Sequence, residues 1–496
     1  MQIDTATAAS GVHLRSASIP GRCHGTLVFA VGPRDEPVVL TGITHLALHL
    51  IEGRVGSVPI PTSSSVTESA ITFEASGTSD RVLAHLQRVV EAIRSFDSVG
   101  RVELDHQKRL LHVEEPVAYV HSGANLLTYR YGLGELGCYG FGLATVAAIT
   151  RKDVVAWIRR SFVAANAGLV LTRPLPASFD LDLAVGDVPA RSRPRPVATT
   201  PRVVRDAVRG VALSLLMQTT DAVLVGQTIR ASLASRLVHE TALAYSSAVA
   251  IARVDATTSL VNLTLDPLEP DIPATLRESV LALRHLSVYG PSPDDLALAL
   301  EYVRVDLAAD PASVCDDLVE SVVDDLRGFE SPSRDARLAS LRGATPATIA
   351  AIVREALPSL IVQVDEDADI GSVAAQLALA VDSFDLMVDR PAKVWKKAAK
   401  GRAIWQATKK SGLAGYRATV TSKRLVYRSD ADGVMAVEFD DLAVVGERPS
   451  GSLVLVDRWG RTRRVVASDW KDGADFVAAL RKALPKRLLR AFPSAD

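Results

Sequence analysis

Two apolar runs of strand length each follow a glycine, GTLVFAVG (25–32) and GVALSLLMQ (210–218). Each leads into a helical pattern. In the first case this is GITHLALHLIE (42–52); in the second it is QTIRASLASRLVHETALAY (227–245), where Ile229, Leu233, Leu237 and Leu243 keep roughly helical spacing. RVLAHLQRVVEAIRSF (81–96) carries apolar residues at three- and four-residue steps and predicts an amphipathic helix. VELDHQKRLLHVEEPV (102–117) predicts another, stopped by Pro116. The later chain repeats the mixture, with helices over 276–290 and 294–309 and a strand over 259–266. The same order of elements met twice predicts a duplicated α+β unit, one half over 12–183 and one over 203–375. Between them, AVGDVPARSRPRPVATTPR (184–202) is rich in proline and arginine and suits an extended linker.

Past residue 400 the pattern becomes short alternating segments between 416 and 468, punctuated by Asp-Gly and Trp-Gly turns. One helical run follows, DWKDGADFVAALRKALPKRL (469–488), with Phe476, Leu480 and Leu484 at i, i+4 and i+8. This predicts a small β-barrel capped by a helix over 400–490. Charge marks the same boundary. Residues 391–496 hold 22 Lys+Arg against 11 Asp+Glu, whereas residues 1–390 hold 34 against 46, so a basic tail follows an acidic body. The whole chain of 496 residues, 48% hydrophobic and 23% charged, has the composition of a globular protein of two or three domains, which excludes pervasive disorder. Cys23, Cys138 and Cys315 lie far apart without metal-ligand spacing, so a disulfide scaffold or thiolate zinc site is not expected. No apolar run approaches the length of a membrane span and the N-terminus lacks a secretory pattern, so a cytoplasmic location is expected.

Only one cluster has metal-ligand spacing. His45 and His49 stand at i and i+4 on the 42–52 helix and project from one face, as a single zinc ion requires. Glu114 is the candidate third ligand, with Glu115 as the alternative if the register slips by one. The same two histidines also suit an ordinary half-buried helix face. AVGPRDEPVVLTGITHLALHL (30–50), however, closely resembles the insulinase-like (pitrilysin and processing-peptidase) zinc metallopeptidases, whose inverted motif is H-x-x-E-H. Gly32, Arg34, Asp35, Glu36, Gly42, His45 and His49 fall on that pattern. Similarity continues through 71–93, the QKRLLHVEE helix, 149–172 and SLASRLVHETALAYSS (232–247), covering about residues 12–365.

The resemblance implies two α+β halves forming a clam-like shell, a zinc ion on His45, His49 and Glu114, and a peptide substrate contacted by Tyr245. It also exposes departures. The family's general-base glutamate falls at Leu48, which has no proton acceptor, so no residue at that position takes the proton from zinc-bound water. The assisting glutamate corresponds to Gln107. The substrate-holding arginine falls at Val238, and Arg236 substitutes for it only if the helix rotates. Glu52 lies one turn beyond the missing base. These losses imply a non-catalytic subunit that pairs with an active insulinase-like peptidase as a heterodimer and helps enclose a peptide. The rival readings are an active enzyme using zinc alone or Glu52 as base, and a scaffold without a peptidase partner.

The tail resembles a pleckstrin-homology-like or GRAM-like domain, above all in ATVTSKRLVYRS (418–429). That resemblance implies an anion-binding rim, for which Lys423, Arg424, Arg428, Arg461, Arg463 and Arg464 are the candidates, facing an anionic lipid or an acidic protein surface such as the body itself. No aromatic-basic motif for nucleic acid is present.

Overall fold

The computed structural model describes residues 3–118, 125–176, 179–191, 195–206, 209–219, 221–307, 310–383 and 386–492, with side chains left aside over 115–118 and at 383. The first sheet is six-stranded, in the spatial order β1 (Ile3–Thr7), β2 (His13–Ala17), β6 (Ala167–Leu171), β3 (Cys23–Phe29), β5 (Ile71–Gly77) and β4 (Thr62–Val66). The second runs β12 (Ala380–Ser383), β7 (Arg202–Asp206), β11 (Ile361–Asp365), β8 (Val211–Gln218), β10 (Thr258–Leu265) and β9 (Ser247–Arg253). From β2 to β4 and from β7 to β9 the order and the senses are identical: one parallel pair, then antiparallel pairs to the edge.

The unbroken apolar run of β3 has a physical cause. Leu27 and Phe29 face a core built with the helices Ile43–Val55, Ser79–Arg94 and Arg151–Ser161, while Val28 faces the other way. That second face is covered by the helix Pro311–Arg327, which crosses from the later half of the chain and seats Val314, Leu318 and Val322 on Val28 and Val170. A Cβ on Gly168 would lie 2.1 Å from Val322 Cγ1, so only glycine admits the helix this closely. Buried arginines then tie the two halves together. Arg34 donates to the carbonyls of Arg253 and Val254 at 3.2 and 3.1 Å, and Arg327 pairs with Asp35 at 2.6 Å. In the connecting stretch, which has no helix or strand among its described residues before Arg202 opens β7, Arg191 donates to Ala30 O and Asn166 Oδ1.

Several expectations are corrected. The helix expected over 227–245 is Ala222–Ala234 followed by a wider π turn, Ser235–Glu240; Ala242, at φ 52°, ends it before Tyr245. The helix expected to stop at Pro116 spans Arg101–Ala118, because a proline near the end of a helix removes just one late hydrogen bond. Val38–Val55 has a membrane-span composition after all, but 56% of it is buried inside the body, as a core helix would be.

The tail strands form two sheets that share no pairing among the described residues, so the expected closed barrel is not seen. One is β13 (Val388–Arg390), β17 (Gly433–Glu438), β16 (Arg424–Ser429), β15 (Arg417–Val420) and β14 (Trp405–Gln406). The other is β20 (Thr462–Val465), β19 (Leu453–Asp457), β18 (Leu442–Glu447) and β21 (Leu489–Ala491). Leu425, Tyr427 and Val437 meet Val445 and Leu455 between them, together with Phe476 and Leu480 of the helix Gly473–Ala483. The outer face of the four-stranded sheet docks on the body: Val444, Val456 and Phe492 pack with Leu133, Val38 and Val39, and Leu133 N donates to Arg458 O at 2.8 Å.

Candidate functional site

The helix Ile43–Val55 starts where it does for two local reasons. Gly42 sits at φ 88°, and a Cβ there would fall 2.4 Å from Val146 Cγ2, so glycine is required. The buried Glu36 carboxylate then accepts from Gly42 N at 2.7 Å and Thr44 N at 2.8 Å, occupying N–H groups the helix leaves unsatisfied. Burial pushes Glu36 up to about 7, against those same hydrogen bonds. Leu46, Ala47, Leu50 and Ile51 anchor one side of the helix in the core.

The opposite side carries His45 and His49, half-buried, with ring centroids 5.0 Å apart. The helix Arg101–Ala118 packs alongside through Leu104 and Leu111 and is held by Arg54 Nε donating to Glu103 Oε1 at 3.0 Å. That packing brings Glu114 to both rings: Oε1 is 3.6 Å from His45 Nε2 and Oε2 is 3.2 Å from His49 Nε2. Among the described residues these three are the one group whose ligand atoms gather, all within 4.8 Å of one another. Tetrahedral zinc with bonds of about 2.0–2.2 Å holds neighbouring donors roughly 3.3–3.6 Å apart, so the two imidazole–carboxylate separations suit that ion, and the wider spread of up to 4.8 Å would have to close on it, with a fourth position left over. Burial lowers the affinity of His45 for a proton, outweighing Glu114, and favours the neutral ring that a metal needs. The alternative ligand, Glu115, has a side chain outside the described residues.

Leu48 is 3% exposed, packed into the first core with its edge on the cavity beside the histidines. Gln107 is buried against the same helix, where a Cβ on Gly53 would lie 3.0 Å from its Nε2. Glu52 lines the cavity but accepts a short hydrogen bond from Ser64 Oγ on β4. Glu68, which sequence reasoning missed because it lies in a turn without a motif, also lines the cavity, and burial raises its pKa.

The cavity has a volume of about 870 Å³ and opens between the halves. Its walls include Ser64 and Ser65 of β4 and Ala248 to Ala252 of β9, the edge strands of the two six-stranded sheets. Its lining holds the carboxylates of Glu52, Glu68 and Glu114 and, among the described residues, no lysine or arginine. The second-half candidates are elsewhere. Val238 is packed against the second core, Arg236 Nε donates to Glu278 Oε2 at 3.0 Å, and Tyr245 is 86% exposed and outside the cavity wall.

Three of the six tail cations are already engaged within the domain. Arg424 pairs with Glu438 at 3.0 Å and Arg461 with the buried Asp457 at 2.7 Å, while Arg463 lies over the Tyr427 ring. Lys423, Arg428 and Arg464 are exposed or nearly so, on strands of both sheets and their turns.

No protein-family model and no curated protein matches the chain. Solved structures do. A chain of complex III2 from Candida albicans, solved with Inz-5 bound, aligns at TM-score 0.61 and 13% identity, over 76% of this chain and 100% of that one. An inactive domain of peptidase M16 from Pseudomonas fluorescens aligns at 0.59 and 15%, over 73% and 98%. A protease from Helicobacter pylori aligns at 0.59 and 14%, over 73% and 99%. With the repeated sheet order and the histidine helix already in place, these likenesses show that the chain has the insulinase-like, M16-peptidase-like fold.

Proposed function

We propose that the protein is a catalytically defective insulinase-like subunit, one that holds zinc on His45, His49 and Glu114 and encloses an extended peptide without hydrolysing it. The observation that carries this reading is Leu48, a core side chain at the spot where hydrolysis needs a proton acceptor beside the metal. When bound, zinc would supply Lewis-acid polarisation of a carbonyl or of water. The chain's own residues offer nothing at Leu48 or Gln107 to take the proton. Two exposed strand edges facing one cavity suit a peptide that adds main-chain hydrogen bonds to β4 or β9, and the three cavity carboxylates favour lysine- or arginine-bearing segments.

Partnering with an active relative is part of the proposal. It is supported by a neighbour that is a chain of a larger complex and another described as an inactive domain. The tail, in this reading a pleckstrin-homology-like module despite its unclosed sheets, is the part that fixes position. One preparation tests the whole. The purified chain, dialysed with zinc, is assayed for bound metal, for binding of basic against acidic peptides, and for cleavage. Metal near one equivalent, preference for the basic peptide and no cleavage are expected. Chelator-sensitive cleavage by the isolated chain overturns the inert-subunit reading, and zinc retained after Glu114→Ala with His45→Ala overturns the metal assignment.

A further inference from the structure

The turn between β4 and β5 is pinned from two sides. Arg34 N donates to Glu68 O at 3.2 Å, and Arg34 Nη1 donates to Ser69 Oγ at 3.0 Å. From the later half of the chain, Arg327 Nε donates to Ser69 O at 3.1 Å. Within the turn, Thr67 Oγ1 accepts from Ala70 N at 3.1 Å. Glu68 therefore stands on a base that both halves hold still.

The donors of both arginines are spent on that framework. The remaining Arg34 bonds run to the carbonyls of Arg253 and Val254, and Arg327 pairs with Asp35. Neither guanidinium donates to the Glu68 carboxylate, which lines the cavity and has no hydrogen bond or ion pair among the described residues. Burial raises its pKa even though both arginines oppose that shift. The other two cavity carboxylates are engaged: Glu52 accepts from Ser64 and Glu114 faces the histidines. Tyr139, on the helix Leu136–Phe141, lines the same cavity, is 41% exposed and has no partner for its hydroxyl among the described residues. Burial, and after it the charge of Glu68, holds its phenol above the usual range, so the two open groups are neighbours.

We infer that Glu68 and Tyr139 form a subsite for one lysine side chain of the enclosed peptide, and that Glu68 is the residue that sets the cavity's choice among peptides. This rests on the reading of the cavity as a peptide chamber. An ammonium is a compact charge with three donors, so it serves a carboxylate and a phenol oxygen at once; the planar fork of a guanidinium matches the carboxylate and leaves the phenol unused. Pro33 and Val66, also in the cavity wall, offer apolar surface to the four-carbon stem. A free carboxylate on a fixed turn is already in place when the ammonium arrives, so little ordering is lost on binding. No lysine or arginine in the lining competes for it among the described residues.

Fluorescence anisotropy of the full chain with labelled, amino-terminally acetylated peptides tests this. The peptides are identical except at one position, which holds lysine, arginine, norleucine or Nε-acetyl-lysine. The lysine peptide is expected to bind at least about ten-fold more tightly than the norleucine and acetyl-lysine peptides, the usual worth of a charge-assisted hydrogen bond. Glu68→Gln removes that difference and Tyr139→Phe reduces it, whereas Glu355→Gln, an exposed change of the same charge on the helix Pro346–Ala356, leaves it unchanged. Because the Glu68 carboxylate has no partner to lose, Glu68→Gln keeps the wild-type thermal transition. A wild-type chain that binds none of the peptides overturns this inference together with the peptide-chamber reading. A lysine preference that survives Glu68→Gln, or an arginine peptide bound as tightly as the lysine one, overturns the subsite alone.

Discussion

Returning a carboxylate to position 48 is the most direct perturbation of the chemistry. Leu48 is 3% exposed, so Leu48→Glu forfeits about 2 kcal/mol of apolar burial. The new carboxylate need not be fully desolvated, because Leu48 already has its edge on the cavity. A net cost of roughly 2–3 kcal/mol is a tolerable fraction of the ~5–15 kcal/mol typical of a folded domain, and zinc recovers part of it. A positioned general base contributes about 10²–10⁴ in rate, and the lower end applies here because Gln107 and Val238 still depart from the active pattern. The zinc-loaded variant is thus expected to cleave a quenched fluorescent basic peptide about a hundred times faster than the zinc-loaded wild type, and to lose that activity to a chelator. Circular dichroism and metal analysis on the same sample establish that the variant is folded and loaded. A folded, zinc-loaded Leu48→Glu chain that cleaves no faster than wild type refutes the placement of Leu48 beside the metal-bound solvent.

Glu36→Gln tests the helix start: with the folded pKa raised from 4.5 to about 7, the contribution of Glu36 to stability is fullest below pH 4.5 and falls by about 3 kcal/mol as pH rises through that window. Urea unfolding of the variant should lack this fall, and parallel pH profiles for the two chains contradict the assignment. Ala242→Gly relieves a left-handed alanine at φ 52° and should raise stability by up to about 1 kcal/mol, or some 2–4 °C in melting temperature. A lowered melting temperature counts against strain at that turn. Phe492→Ala opens the seam between tail and body at a cost of about 3–5 kcal/mol, and hydrogen exchange should rise at Val38–Leu40 as well as in β18. Exchange that rises only within the tail shows that the seam does not brace the entry to the histidine helix.

What could be read from sequence was what short-range pattern decides. The runs that became β3 and β8 stood out because strands covered on both faces are apolar throughout, and the tail strands stood out because they alternate between turns. The His45 and His49 pair followed from helical spacing alone. Glu114 was harder, being 65 residues beyond His49, and its choice over Glu115 depends on how Leu104 and Leu111 seat their helix. The long-range closures were not legible. Nothing local marks the helix Pro311–Arg327 as the cover of the first sheet, or Arg34 and Arg327 as ties between halves. The helix expected to reach Tyr245 falls short for a backbone reason: Ala242 takes a conformation that favours glycine, ends the helical stretch early and leaves Tyr245 facing solvent.

In the proposed function, holding a metal, activating water and enclosing a peptide rest on different residues, so that one can fail alone. The donors His45, His49 and Glu114 sit on two helices fixed by Glu36, Arg54 and the first core, none of which needs a carboxylate at position 48. The cavity walls are sheet edges whose positions are set by β5 and β10 and by the arginine ties between halves. In the proposed reading, a leucine in place of the base removes proton transfer while leaving a cavity of about 870 Å³, two strand edges and three carboxylates intact. In such a site the interactions that would lower a transition state in an active enzyme are available only for binding. Slow release of an uncleaved basic peptide is the kinetic signature this predicts, and rapid exchange of such a peptide from the zinc-loaded chain contradicts it.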